Sequence, residues 1–318
     1  MSAPTGNILS VPLKLRANDV VRHVINVDSR FRDSPNVHSQ TDFYFSLLSP
    51  VRNVLRIRIT SIELPNNFLF FTEKRGNVSF YLSYDVSGTI YDKEILVPNG
   101  NYTTDGPDGD SIVKFLNTTF SSLANGFSLK ASFSIINGKI TFVGSGPFQI
   151  DTETGTKDRQ SDYGLGYYLG FSRDLHEADV DTSGNYVLIS DGCANFSGDI
   201  YAFLYLNDYA CVRQTVRSYD SSYIQGRSNP EEFNAMAKII LSSPKNYIVF
   251  DDYSNRQIKE VVFPSPVDLT RLRIKLLDAY GEVMELCTTQ FSFSMEVLEV
   301  KSMTLYNTIR DSLTLEYL

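Results

Sequence analysis

The 318-residue sequence contains no Trp and only three Cys. Cys193, Cys211 and Cys287 are widely spaced and form no CxxC pair, so they predict neither a disulfide framework nor a zinc site. Reduced thiols in a cytosolic environment are the simplest interpretation of this pattern.

Histidine, the usual proton carrier near neutral pH, is also scarce. His23, His38 and His176 do not occur at a metal-ligand spacing such as HxH or HExxH. No GxSxG motif supports a hydrolase, although a Ser-His-Asp or Cys-His site assembled from distant segments stays open. The glycine-rich stretches "GSGPF" and "GLGYYLG" fit neither a P-loop nor a dinucleotide-binding motif. We therefore predict no enzyme, no catalytic residue, no metal and no cofactor.

No apolar run approaches the roughly 18 residues that would span a bilayer. The first 19 residues lack the basic start and apolar stretch of a secretory signal, so the four N-x-S/T sequons carry no expected role. The formal net charge of −8 argues against a general nucleic-acid binder, since neutralising phosphates takes a basic surface. We predict no specific nucleic-acid partner.

Aromatic residues and strand-like alternation are abundant instead. The sequence has 19 Tyr and 21 Phe, a profile typical of pleated sheets and large protein interfaces. In "VRNVLRIRITSIELP", the period of two places Leu55, Ile57 and Ile59 on one face and Arg56 and Arg58 on the other. Comparable runs predict at least twelve strands, among them a strand buried on both faces at "DIYAFLYLND".

One internal helix is predicted after the turn "PNGN". Its apolar positions begin at Ile112 and end before Gly126, giving a length of about 14 residues. Asp108 and Asp110 lack the register of an EF-hand loop, and stabilisation of the helix N-terminus explains them better. A hairpin with its turn at Asn137-Gly138 follows the helix.

These patterns predict an all-β, mainly antiparallel fold: a jelly-roll-like β-sandwich with an inserted helix-plus-hairpin (βαββ) unit and a short C-terminal helix. Whether the strands form one lobe or two stays open. The predicted boundaries are an extended arm over residues 1–20, a β-sandwich over 21–300 with the insertion at about 88–171, and a tail over 301–318.

Two basic groups are candidates for contacts with other molecules. In "DSRFRD", Arg30 and Arg32 are predicted to pair with the flanking aspartates or with a neighbouring subunit, and thereby to fix the turn after the first strand. Arg52, Arg56 and Arg58 form a stripe for which a solvated outer face is the simpler interpretation. The alternative is contact with a phosphate or an acidic neighbouring subunit.

The polar stretch at 212–232 is predicted to be a long exposed loop. Its Tyr219 and Tyr223 are further contact candidates, as are the arm at 1–20 and the tail at 301–318.

Several segments in order resemble the minor capsid proteins of nucleocytoplasmic large DNA viruses, the giant icosahedral viruses of algae and protists. The resemblance covers roughly residues 21–300. It is carried by "VINVDSRFRD", "TDFYFSLLSPVRNVLRIRITSIELPN", "ILVPNGNYT", "LGYYLGF", "YAFLYLND", "AKIILSSPKNYIVFDD", "FPSPVDLTRLRIKLLDAYGEVMEL" and "QFSFSMEVLEV".

The resemblance implies a structural virion protein that links and stabilises major capsid protein subunits. Its implied partners are the major capsid protein and other minor capsid proteins, and an indirect proximity to an inner viral membrane stays open. The implied location is the virion capsid, assembled in the host cell cytoplasm. A carbohydrate-binding jelly roll of the virion surface is the alternative, although the Trp that commonly stacks on sugars is absent.

Overall fold

A computed structural model describes residues 19–104, 111–154, 159, 161–207, 209–217, 230–243, 245, 247–251, 259–304, 306 and 307. The chain divides into two compact units. Unit 1 comprises residues 1–68, 199–215 and 232–318, and unit 2 comprises 69–198 and 216–231. Both are built mainly from antiparallel strands in a β-sandwich of jelly-roll type, so the predicted fold class is confirmed.

Unit 1 is built on one seven-stranded sheet, in which the order is β1-β17-β2-β16-β11-β14 and β15 also pairs with β2. Its strands are β1 (Val20–Asp28), β2 (Asp42–Pro65), β11 (Tyr201–Leu206), β14 (Ala237–Ile240), β15 (Ile248–Asp251), β16 (Glu260–Leu277) and β17 (Ser292–Val300). A separate two-stranded ladder joins β12 (Val212–Arg217) and β13 (Pro230–Ala235).

The long strands β2 and β16 allow this sheet to curl around its own core. Their pairing contains three register shifts, and such bulges bend a strand and increase its twist. The enclosed cluster draws on residues far apart in sequence, including the fully buried Phe43, Ile59, Leu204 and Ile274. A large apolar core of this kind is the main source of the stability of the unit.

Leu55 departs from the predicted alternation of β2. The pairing with β17 passes from Arg56↔Leu298 to Val54↔Glu299, so Leu55 is the extra residue of a bulge. Val54 and Ile57 belong to the main core, whereas Leu55 packs in a separate cluster with Val300 and Tyr306. The prediction that Leu55 shares a face with Ile57 and Ile59 is therefore wrong.

Unit 2 contains two four-stranded sheets with orders β5-β6-β10-β9 and β4-β3-β7-β8. Its elements are β3 (Ser79–Val86), β4 (Thr89–Leu96), α1 (Ile112–Phe120), β5 (Leu129–Ser134), β6 (Lys139–Gly144), β7 (Phe148–Asp151), α2 (Leu165–Leu169), β8 (Leu175–Glu177), β9 (Asp179–Val180) and β10 (Tyr186–Ile189). Phe80 and Phe142 stack at 6.1 Å between ring centroids, and α1 adds Leu116 and Phe120 to the same core.

The helix α1 is shorter than the sequence predicts. The Ser111 side chain accepts a hydrogen bond from the backbone N–H of Lys114 and so marks the first turn, and the helix ends at Phe120 after nine residues. Asp108 and Asp110 lie outside the described residues. The second helix, α2, occupies "LGYYL", an apolar segment for which the sequence predicts no helix.

Gly170 ends α2 with a left-handed backbone, at a φ of 91°. A Cβ at this position would lie 2.5 Å from the carbonyl oxygen of Gly192, whose N–H donates a 2.7 Å hydrogen bond to the Gly170 carbonyl. Gly184 also has a positive φ, 83°, but a Cβ there would meet nothing within 4 Å. Both positions need a residue that adopts a positive φ, and only at Gly170 is there also no space for a Cβ.

Several other segments named in the sequence analysis can be placed in the structure. Two pairs of predicted strands are each one continuous strand, β2 and β16. Residues 212–217 form β12 rather than a loop. The residues of the predicted insertion, about 88–171, all belong to unit 2. In the tail, residues 303, 304, 306 and 307 have helical backbone, and the rest of the predicted terminal helix lies outside the described residues.

Candidate interaction surfaces

The charged cluster after β1 organises a tight turn. Asp28 accepts a hydrogen bond from the backbone N–H of Arg30 at 2.9 Å and caps the 3₁₀ turn Ser29–Phe31. The Arg30 guanidinium donates to both carboxylate oxygens of Asp28, at 2.5 to 3.0 Å. These bonds lower the pKa of Asp28 and raise that of Arg30. Arg30 is thus held by a local partner.

Arg32 binds the connection between β1 and β2 from within. Its guanidinium donates to the carbonyl oxygens of Ser29 at 2.7 Å, His38 at 2.8 Å and Pro35 at 3.2 Å, and to Oε1 of Gln290 at 3.2 Å. A planar group with five N–H donors is suited to such bridging, and Lys would lose most of these bonds.

Asp33 ties the end of the same cluster to two strands. It accepts hydrogen bonds from the backbone N–H of Ser46 at 3.1 Å, from its hydroxyl at 2.7 Å, and from Nε of Arg271 at 3.0 Å. Partial burial pushes the pKa of Asp33 upward, but the bonds from Ser46 and Arg271 outweigh it and leave the pKa below its ordinary value. "DSRFRD" therefore fixes a turn, as the sequence predicts.

Arg56 and Arg58 share one face of β2, and both reach Glu296 on β17. The Nη2 of Arg56 lies 2.8 Å from one oxygen of Glu296, while Arg58 lies 3.7 Å and Arg22 of β1 lies 3.2 Å from the other. The Glu296 side chain is only 6% exposed. A nearly buried carboxylate is thus compensated by three guanidinium groups, as burial of a charge requires.

The three arginines of the predicted stripe, Arg52, Arg56 and Arg58, do not share one environment. Arg56 also approaches Glu260 of β16 at 3.9 Å. Arg52 is exposed and precedes Asn53, whose backbone is left-handed at a φ of 51°. No local pattern could indicate Glu296 as the shared partner, because 240 residues separate it from Arg56. A subunit contact through Arg30, Arg32, Arg52, Arg56 or Arg58 stays a prediction.

Of the remaining contact candidates, Tyr219 and Tyr223 lie outside the described residues, as do residues 1–18 of the arm. The beginning of the tail is described, and Tyr306 is 4% exposed there. Its hydroxyl donates to the carbonyl oxygen of Pro264 at 3.2 Å. The tail is thereby anchored on unit 1 through the ring that covers Leu55 and Val300.

Large apolar side chains are exposed along β15, where the sequence raised no candidate. Ile248 and Phe250 are 63% and 61% exposed on one face of the strand, and the preceding Tyr247 is 65% exposed. The alternate residues Val249 and Asp251 are buried, and Asp251 forms an ion pair with the buried Lys259. β15 pairs with β2 only, among the strands that the structure describes. Ile248, Val249 and Phe250 are all apolar, so no alternation in the sequence distinguishes the exposed face from the buried one.

A serine, a histidine and an aspartate meet in unit 2. The Ser172 hydroxyl donates to Asp191 at 2.8 Å, and Nε2 of His176 faces the carbonyl oxygen of Ser172 at 3.0 Å. The backbone N–H of Ser172 is the main cause of the lowered pKa of Asp191. Because the hydroxyl contacts the carboxylate rather than the imidazole, His176 is not placed to take its proton. This geometry does not activate Ser172 as a nucleophile.

Asp162 is the centre of a buried polar network in unit 2. It is 1% exposed, accepts a 2.6 Å hydrogen bond from the Tyr168 hydroxyl and lies 2.8 Å from Arg159 and 3.2 Å from Arg75. Burial raises the pKa of Asp162 despite these favourable partners. Arg75 also lies over the Phe70 ring at 4.3 Å. The arrangement joins segments around α2 and leaves no oxygen of Asp162 without a donor.

No group of three or more His, Cys, Asp or Glu side chains that could hold a metal ion occurs among the described residues. Over the same part of the chain, no helix has the length and apolar character needed to cross a membrane.

No protein-family model matches the chain, and no curated protein matches it. Among solved structures, the chain is similar to the crystal structure of the selenomethionine-labelled mavirus penton protein. The alignment has a TM-score of 0.40 and 10% sequence identity, and it covers 88% of this chain and 98% of the penton chain. This likeness is too distant to support an argument about function.

Proposed function

We propose that the chain is a structural minor capsid protein that links and stabilises major capsid protein subunits in the shell of a large icosahedral DNA virus. It acts by adhesion rather than by catalytic turnover. The observation that carries the proposal is the exposed apolar face of β15.

Edge strands with exposed apolar side chains are a liability for a protein that works alone. Natural proteins normally protect such edges with charges, prolines or covering loops, because an open edge pairs with other chains. Ile248 and Phe250 of β15 and the preceding Tyr247 are each more than 60% exposed. Contiguous exposed apolar side chains of this kind mark protein interaction sites. Burial of this face against another subunit would remove it from water and stabilise an assembly.

The segments that resemble minor capsid proteins indicate a viral shell as the assembly in which this face is buried. The first of them, "VINVDSRFRD", contains the second half of β1 and the turn that Arg32 and Asp33 fix. The longest, residues 41–66, contains β2, which pairs with three other strands. These segments build the frame of unit 1, which supports the resemblance as one of architecture rather than of a catalytic motif.

Peptide mass spectrometry of gradient-purified virions, combined with mild cross-linking, tests the proposal. The expected result is that the chain is packaged and that peptides containing β15 cross-link to the major capsid protein or to another minor capsid protein. Absence of the chain from virions would overturn the proposal.

A matched pair of variants sharpens this test. Ile248→Glu with Phe250→Glu places two charges on the exposed face of β15, and we expect a folded chain whose cross-links to capsid subunits are lost. The control is Ile135→Glu with Ile136→Glu, in a hairpin turn where these side chains are 89% and 95% exposed. Equal cross-linking by the two variants would remove β15 from the contact surface. The carbohydrate-binding alternative stays a prediction, which a glycan array tests.

A further inference from the structure

A groove of about 490 Å³ opens in unit 2 where strands diverge. The ladder between β9 and β10 ends at the pair Asp179↔Val187, and β8 pairs with β7 instead. Leu175–Glu177 of β8 and Leu188–Ile189 of β10 line the same groove, and no ladder among the described strands joins them. Two strand edges that border one opening can accept an additional strand.

The groove combines exposed apolar side chains with negative charge. Leu175, Val180 and Ile189 are 49%, 60% and 52% exposed. Four carboxylates also line it: Glu177, Asp179, Asp181 and Asp191. Backbone N–H groups, of Asn185 for Asp181 and of Ser172 for Asp191, lower the pKa of these two acids and keep them ionised. The basic groups nearby are His176, in the lining, and Lys139, which interacts with Asp191.

The N-terminal segment has the complementary composition. Residues 1–18 contain Lys14 and Arg16 and no acidic residue. Apolar residues alternate with other types through Leu9, Val11, Leu13 and Leu15, which is the pattern of a strand with one apolar face. Pro12 has no N–H to donate, so a ladder formed by this segment would begin after it.

Residues 1–18 are also numerous enough to reach a neighbouring molecule if they are extended. Eighteen extended residues span about 60 Å, whereas a unit of this size has a radius of gyration of about 15 Å. Asp19 and β1, where the segment ends, belong to unit 1, and the groove belongs to unit 2.

We propose that residues 13–16 of a second copy of this chain dock in the groove as an added strand. Leu13 and Leu15 then lie among the exposed apolar side chains of the groove, and the long side chains of Lys14 and Arg16 bring positive charge close to its carboxylates. The inference rests on the proposed function, because subunits of a shell must bind one another. A contact between an arm and a groove joins two different surfaces, so it can close as a reciprocal pair or as a ring, or continue as a chain of copies.

Photo-cross-linking between labelled and unlabelled full-length chains tests the docking. Leu13 is replaced by p-benzoylphenylalanine in a ¹⁵N-labelled chain, which is mixed with the unlabelled natural chain. We expect cross-linked peptides that join residue 13 of the heavy chain to residues 175–191 of the light chain. Cross-links confined to one chain, or directed elsewhere, would overturn the proposal.

Charge variants show whether the groove chemistry is responsible. Glu177→Lys with Asp179→Lys in the light chain should lower the yield of the cross-link between the two chains on the order of tenfold, because two favourable charge pairs become repulsive. Lys14→Glu with Arg16→Glu in the heavy chain should then restore it. The control, Glu73→Lys with Glu94→Lys, makes the same charge change at exposed positions of unit 2 outside the groove and should leave the yield unchanged.

An equal loss in both light-chain variants, or no rescue by the heavy-chain variant, would contradict the docking. Far-UV circular dichroism of each variant verifies folding, and the rescue cannot arise from a misfolded groove. Packaging of the chain into virions is measured separately. A chain that is packaged without these cross-links refutes the docking alone, and a chain absent from virions refutes the proposed function.

Discussion

Glu296→Gln should destabilise unit 1 by about 2 kcal/mol. The substitution keeps the size of the side chain and removes the charge that compensates three arginines. The charge-assisted bond from Arg56 contributes roughly 1.5 to 3 kcal/mol. The pairs with Arg58 and Arg22 add about 0.2 to 1 kcal/mol each, since those guanidinium side chains are 33% and 65% exposed. The glutamine recovers about 1 kcal/mol through a neutral hydrogen bond.

Hydrogen exchange with mass spectrometry, at increasing urea concentration, is the suitable assay. Hydrogen exchange reports the unfolding of β1, β2 and β17 separately from that of unit 2. Trp fluorescence cannot do so, because the sequence has no Trp. With an m-value of about 2 kcal/mol/M, the midpoint for these strands should fall by about 1 M. The midpoint of unit 2 should stay unchanged.

Glu299→Gln is the matched control on the same strand. Glu299 lies 2.6 Å from His23, and its side chain is 26% exposed, so the loss should be smaller, about 0.5 kcal/mol. If Glu296→Gln shifted the midpoint no more than Glu299→Gln does, the buried carboxylate would not be an important stabilising element. Arg56→Met with Glu296→Met should recover much of the loss, because the closest pair is removed together and the two arginines that also lose Glu296, Arg58 and Arg22, are the more exposed ones.

Three further outcomes follow from the structure. Because the folded pKa of Asp33 is lowered, its ionised form stabilises the turn at pH values above the ordinary aspartate pKa of about 3.9. This stabilisation is lost as the pH falls through the lower folded pKa, so the exchange protection of residues 29–46 should decrease as the pH is lowered below about 4; protection that stays constant on acidification would contradict this. Gly170→Ala should destabilise unit 2 by more than about 3 kcal/mol, and Gly184→Ala by about 1 to 2 kcal/mol, because only Gly170→Ala adds a steric clash to the backbone strain. Urea unfolding followed by hydrogen exchange measures both losses, and equal losses would refute the clash. Tyr306→Ala should cost about 2 to 4 kcal/mol locally and Tyr306→Phe about 1 kcal/mol, measured as exchange at the Leu55 bulge; an unchanged bulge would show that the tail does not stabilise it.

Local patterns predicted much of the fold. Alternation placed Ile57 and Ile59 in the core, and the apolar run from Tyr201 predicted a strand buried on both faces. That prediction is confirmed, because Leu204 belongs to the main core and Phe203 packs in another cluster. Asn137-Gly138 marked a turn whose flanking strands pair as expected. These features depend on residues close in sequence, where side-chain direction and turn preference act directly.

Other features were beyond the reach of local patterns. The bulge at Leu55 arises from pairing with β17, which lies more than 230 residues later. The five-residue helix α2 is too short for its periodicity to be distinguished from that of a buried strand. Among the contact candidates, the role of Arg32 in its turn could be inferred from its neighbours, whereas the exposure of Phe250 could not.

The sequence by itself determined the strand-rich class, the turn at "DSRFRD" and the scarcity of His and Cys. Alternation and turn preference depend on residues that are close in sequence. Only the tertiary structure decided that Arg22, Arg56 and Arg58 converge on Glu296, that β15 presents an apolar face, and that strands diverge around an acidic groove. These depend on which distant strands become neighbours. Burial and the pairing of charges are properties of that arrangement, which no local pattern encodes.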